Sequence, residues 1–128
     1  MEIRVLGVID AGPPARVRFE PVRSGSVCEA EWVGAAPEVG SRAHVELDVP
    51  EVCPADLAPA IEPEGLRASG ERLEITGTLE VPGSSGCAAL RVHGSLVLLD
   101  LPEGLPAGLD GTQVTLTARA VRLFPFTL

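Results

Sequence analysis

Glycine and proline punctuate this chain so closely that no stretch offers an uninterrupted amphipathic helical window. It holds 14 Gly and 12 Pro among 128 residues, and a helix interior loses about 1 kcal/mol at each Gly and about 3 kcal/mol at each Pro. Many short strands joined by turns satisfy the backbone instead. Hydrophobic residues make up 45% and charged residues 22% of the chain, which sets it apart from disordered sequences. Its length suits one domain, 1–128, whose core needs no metal or disulfide to hold it. The expected class is all-β.

The strands follow from hydrophobic period. The clearest stretch is Arg72 to Leu101: Leu73, Ile75, Leu79 and Val81 alternate with Glu74, Thr76, Thr78 and Glu80. Pro82 to Gly86 breaks the pattern, and Ala88 to Leu101 reads as a second strand. There Leu96 to Leu99 are apolar on both faces, as in a strand at the centre of a core. Earlier strands are expected at Ile3–Ile9 with a bulge or close packing at Gly7, at Ala15–Val22, at Val27–Val33 and at Arg42–Val49. In the last of these Ala43, Val45, Leu47 and Val49 point inward. Pro50 to Pro63 is irregular, with room for one short helical turn near Pro54, and Ser69 to Arg72 is a hairpin turn. In the final stretch the buried positions Val114, Leu116 and Ala118 are even-numbered but Val121 and Leu123 are odd-numbered. That phase slip at Arg119-Ala120 predicts a β-bulge, with Phe124 and Phe126 sealing a barrel end.

Two stretches resemble each other. Val5-Leu-Gly-Val-Ile-Asp10 parallels Ile75-Thr-Gly-Thr-Leu-Glu80, and Gly40 leads His44 to Leu47 as Gly111 leads Gln113 to Leu116. Two related four-strand units, 1–50 and 72–128, joined by the Pro-rich segment 50–70, would account for this, as would chance in a Val- and Gly-rich β protein. The expected architecture is a small antiparallel β-barrel of about eight strands, with a two-sheet sandwich as the alternative. Over residues 72 to 124, the Gly-led strand after a loop resembles in outline the oligonucleotide- or oligosaccharide-binding (OB) fold. The resemblance is one of pattern and implies no ligand.

Eighteen acidic residues against ten basic ones, all arginine, give a formal charge of −8. That sign disfavours phosphate backbones, and the chain carries only three Phe, one Trp and no Tyr for stacking. Nucleic acid is therefore an unfavoured partner. Lys and Asn are absent while Ala, Gly, Pro, Arg and Val abound, a usage expected of a GC-rich bacterial genome. Cys28, Cys53 and Cys87 are widely spaced and form no Cys-x-x-Cys pair, so neither a zinc ribbon nor a thioredoxin-like motif is present. The opening residues form no signal peptide and no transmembrane run follows, which places the expected protein in the cytoplasm with free thiols.

No nucleophile elbow, triad or phosphate-binding loop is present, so no catalytic residue, metal ligand or cofactor is expected. The candidate binding residues are Trp32, His44, Thr76, Thr78, Arg91 and His93. Trp32 reads either as an exposed anchor or as a cap on the core. His44 points outward from its strand. Arg91, His93 and Ser95 share one face, beside a polar face of Thr76, Thr78 and Glu80 on the preceding strand. The functional expectation is a non-enzymatic interaction or immunity/inhibitor-like module whose acidic surface docks a basic protein. Two alternatives stand beside it: a barrel that binds oligosaccharide or single-stranded nucleic acid, and an enzyme or metal protein using the Cys and His residues, where a Cys87/His93 pairing across the hairpin would be the nucleophile and its base. A homodimer formed by strand-edge pairing is compatible with all three.

Overall fold

The computed structural model describes residues 1–24, 26–81, 88–105 and 108–127. The expected turn at Pro82 to Gly86 and Cys87 lie outside them. The chain is all-β, with eleven strands: β1 (Glu2–Asp10), β2 (Ala15–Pro21), β3 (Cys28–Trp32), β4 (Arg42–Val49), β5 (Leu57–Pro59), β6 (Gly65–Ser69), β7 (Arg72–Glu80), β8 (Ala88–Val92), β9 (Ser95–Leu99), β10 (Gln113–Ala118) and β11 (Arg122–Phe126). The one helical turn among the described residues is 3-10, at Pro54–Asp56, where the sequence leaves room for it.

Five strands close into a barrel in the order β1-β2-β3-β11-β4 and back to β1. The ring is antiparallel except at β3–β11, where Arg122 lies beside Glu31 and Leu123 beside Trp32 in parallel register. Closure rests on β1–β4, pairing Glu2 with His44 and Arg4 with Arg42. A ring of hydrogen-bonded strands excludes the two-sheet sandwich as a description of this part. The remaining strands extend outward from β4 in the order β9-β8-β7-β10-β5, and β6 pairs with the first half of β7 on the edge that β8 takes over. The β4–β9 junction is again parallel, Leu47 beside Val97 and Val49 beside Leu99.

The structure corrects several expectations. The described residues form eleven strands rather than about eight, and the closed ring does not lie within residues 72 to 124, the stretch that resembles the OB fold in outline. It uses the first four strands together with the last. At Arg119-Ala120 the phase slip is no bulge within one strand. β10 pairs with β7 and β5, and the chain then crosses over so that β11 pairs with β4 and β3. Each strand buries its own alternate residues against a different partner, and the change of partner resets the phase. Ala88 to Leu101 is likewise two strands. His93 (φ 49°) and Gly94 (φ 82°) form a two-residue turn with both φ values positive, the twist that matches antiparallel neighbours.

The expected bulge at Gly7 is present: Val5 faces Phe19 and Gly7 faces Arg18, with Leu6 as the extra residue. Inward-facing alternation holds in β2, β3 and β4, where Val17, Phe19, Cys28, Ala30, Trp32, Val45, Leu47 and Val49 are buried. These join Ile75, Leu79, Leu90, Val97, Leu116 and Leu123 in one continuous apolar core. β1-β2-β3 and β7-β8-β9 are both three-strand meanders, and the first strand of each pairs with the Gly-led strand β4 or β10. The segments that follow are exchanged, for β5 pairs with β10 and β11 with β4.

Gly77 marks where β7 passes from β6 to β8 along one edge. A Cβ there would lie 2.5 Å from the Arg91 carbonyl oxygen and 2.8 Å from Val92 Cγ2, so even alanine must displace the β8 backbone. Gly77→Ala is expected to destabilise the protein by about 1–3 kcal/mol in urea unfolding. Ile61→Ala, at a position 99% exposed, should stay within about 0.5 kcal/mol of the parent.

Candidate functional site

Consecutive residues of a strand point to opposite sides of a sheet, so the register assigns the outer face directly. Thr78 and Glu80 of β7 stand beside Arg91 and Ala89 of β8, which stand beside Leu96 and Leu98 of β9. Leu98 neighbours Asp48 of β4, and His44, Glu46 and Asp48 face Phe126, Phe124 and Arg122 of β11. One outer surface thus runs from β7 across β8, β9 and β4 to β11. Of the residues selected from sequence, it brings together His44, Thr78 and Arg91.

Apolar groups that the sequence assigns elsewhere lie on this surface. Leu96 and Leu98 are 42% and 44% exposed and Phe126 is 43% exposed, while Val97, Leu99 and Leu123 are buried. The expectation that all four of Leu96 to Leu99 lie within a core is therefore corrected: among the described residues no second layer covers this face of β9. Phe126 does not seal a barrel end. It lies against His44, ring centroids 6.0 Å apart and planes tilted by 44°. Phe124 is half-buried beneath the Arg122 guanidinium, whose carbon is 5.9 Å from the ring centre, within range of cation–π attraction.

Charged pairs flank the apolar groups. Arg91 grips Glu80 in bidentate fashion, Nε to Oε1 at 2.8 Å and Nη2 to Oε2 at 3.0 Å. These hydrogen bonds, with the attraction of the opposite charges added to them, hold the Glu80 carboxyl below its ordinary pKa and raise that of the Arg91 guanidinium. On the other side Arg122 Nη2 donates to Asp48 Oδ2 at 2.6 Å. Glu31 and Glu46 join no ion pair among the described residues, which leaves the face with an excess of negative charge.

The other selected residues fall elsewhere. Trp32 is 4% exposed, with its indole N–H donating to the Ala35 carbonyl at 2.9 Å. It is a core residue, not an exposed anchor. Thr76 is fully buried rather than part of a solvated face, because β7 is flanked by β6 on one edge and β10 on the other. Its hydroxyl pairs with Thr115 Oγ1 at 2.8 Å and accepts from Arg67 Nη2 at 3.3 Å. His93 stands in the β8–β9 turn, not on a strand face. Its backbone N–H donates to Glu64 Oε2 at 2.9 Å, and Nδ1 lies 3.6 Å from the same oxygen.

Two recesses flank the sheet. A polar groove of about 440 Å³ lies among Arg16, Glu29, Glu71, Arg72 and Arg119. Two of its guanidiniums are already engaged, Arg16 near Glu29 and Arg119 with Asp56. A smaller cleft of about 250 Å³ lies between the β2–β3 and β8–β9 connections. Cys28 is buried in the barrel, and desolvation pushes its thiol up to about 11. Cys53 precedes the 3-10 turn, and the Cys87/His93 pairing lies outside the described residues. Among the described residues no three His, Cys, Asp or Glu side chains converge as a metal site would need, and no helix is long and apolar enough to cross a membrane. Searches of protein-family models, curated proteins and solved structures found nothing that matches the chain.

Two titrations check these environments. A carboxyl whose folded pKa is lowered stabilises the fold above its unfolded value and loses that contribution as pH falls through the folded one. Replacing Arg91 with Ala should return the Glu80 carbon signals to an ordinary carboxylate titration in NMR. For Cys28 the sign is opposite. Its contribution is complete below the ordinary thiol value of 9.0 and is lost as pH rises toward about 11. In a Cys87→Ser background, Cys53 should therefore react with a thiol reagent at pH 8 well before Cys28, which should react only on unfolding.

Proposed function

We propose that this chain is a non-enzymatic protein-binding module that docks a basic partner on the outer face of β9, β4 and β11. The observation that carries the reading is that Leu96, Leu98 and Phe126, each more than two-fifths exposed, lie on the same outer face of β9 and β11, the strands on either side of β4. Exposed leucines scattered singly need no explanation, but a cluster within a charged rim has the anatomy of an interface core. Phe124 and Arg122 add an aromatic and a guanidinium, residue types that dominate binding energy when desolvated.

The charge of the rim supports a basic partner. Arg91 and Arg122 are neutralised by Glu80 and Asp48, while Glu31 and Glu46 join no ion pair among the described residues, and the chain as a whole carries a net charge of −8. Such a field speeds encounter with a positive surface and makes association sensitive to salt. The outer face of the β2–β3 hairpin supports the oligonucleotide alternative poorly: Arg16 and Arg18 are tied to Glu29, and no aromatic residue alternates with them for stacking.

The test is capture from a lysate by the parent and by Leu98→Arg, with Val39→Arg as a control at a site 64% exposed on another surface. The account expects a partner with a basic surface that is retained by the parent and the control, is lost by Leu98→Arg, and is released as salt rises. Equal retention by Leu98→Arg would contradict it. Were the parent to sediment as a dimer and Leu98→Arg as a monomer, the occupant would be a second copy and the basic-partner reading would fail.

A further inference from the structure

The 250 Å³ cleft lies where the β2–β3 and β8–β9 connections meet the start of β6, on a different part of the molecule from the face described above. Pro21, Val22, Leu66 and Val92 supply its apolar walls, with Arg23 and His93 also lining it. Pro21, Leu66 and Val92 are buried, and Val22 is 37% exposed. The polar groups around it differ in their commitments. Glu64 is held by the His93 backbone N–H, and Glu2 lies 3.8 Å from Arg42. Arg23 joins no ion pair among the described residues. Its one recorded bond runs from Nη1 to the His93 carbonyl at 3.4 Å, long for an N–H···O bond, so most of its five donors remain uncommitted.

An apolar recess with a cation at its lining is complementary to a molecule with an apolar body and one anionic end. We propose that this cleft binds a small aliphatic carboxylic acid as its anion, the chain lying along Met1 and Val22 over a floor of buried Leu66 and Val92 and the carboxylate on Arg23. Size narrows the class. A water molecule's share of liquid volume is about 30 Å³, so the cleft holds about eight groups of that size, which fits a carboxylate on a chain of about six carbons. An unbranched acid of that length suits the recess better than a peptide terminus, whose backbone amides would need partners that the apolar walls do not offer.

Hexanoate is the probe, with hexan-1-ol as its uncharged counterpart, followed by ¹H–¹⁵N NMR on the full chain. The amides of Val22, Val92 and Ser95 should shift saturably with hexanoate, with a Kd on the order of a millimolar for so small a ligand. The alcohol should bind about tenfold more weakly, and Arg23→Gln should weaken hexanoate by about the same factor. Arg4→Gln, a control at a strand residue outside the cleft, should change nothing, and Val22→Trp should fill the recess and abolish the shifts. Equal binding of acid and alcohol, unchanged hexanoate binding in Arg23→Gln, or shifts that never saturate would overturn the proposal. So would a peptide with an apolar C-terminal residue that shifts these amides where hexanoate does not.

Discussion

The insertion of β11 between β3 and β4 is the pairing on which the rest of the structure depends. Without it β3 has no neighbour on that side and the first three strands cannot complete a ring with β4. Five register pairs tie it to β4, from Arg122 with Asp48 to Phe126 with His44. The amides of Glu31 and Val33 donate to the carbonyls of Val121 and Leu123 at 3.0 Å. Leu123 completes the arrangement from inside, fully buried. Each contact spans more than 70 residues of chain, so the ring is closed by a pairing with a high entropic cost that the buried core must offset.

The same insertion creates the candidate surface. β4 lies at the junction of the two parts of the sheet, with β11 on one side and the end of β9 on the other. Phe124 and Phe126 therefore share an outer face with Leu96 and Leu98, although neither pair is near the other in sequence. Ion pairing then gives the face its rim. Arg91 and Arg122 each take a carboxylate on the neighbouring strand, so their stems cover apolar surface while their charges are satisfied. Exposed pairs of this kind add little to stability, and they leave Glu31 and Glu46 as the carboxylates of this face outside any ion pair among the described residues.

The sequence discloses what local alternation controls. β2, β3, β4 and most of β7 follow from period two, and Gly7 marks its bulge because a residue without a side chain sits in the middle of an apolar run. Pairings between distant strands leave no such trace. Nothing in Arg119-Ala120 distinguishes a bulge from a crossover, since both shift the buried parity by one. Leu96 to Leu99 misleads for a related reason: four consecutive apolar residues have no period, and only the sheet's environment shows that the even-numbered pair faces outward. The one available signal is His93-Gly94, a turn pair that is hidden because His is seldom found with positive φ. Thr78, Arg91 and His44 reach the outer surface as their alternation requires. Thr76 has the same parity as Thr78, but coverage from β6 and β10 is a tertiary fact that parity does not contain.

β11 is a stave of the barrel, paired with β3 and β4, and one side of the proposed docking face, and native-state hydrogen exchange addresses its place in the barrel most directly. That place predicts that the β11 amides, and those of Glu31 and Val33 that bond to its start, exchange only through the global opening that also exposes β4. Rapid exchange across β11 while β1 to β4 stay protected would contradict it. The strand would then be an appendage to a barrel that does not need it, and the surface it shares with β9 would not be rigid.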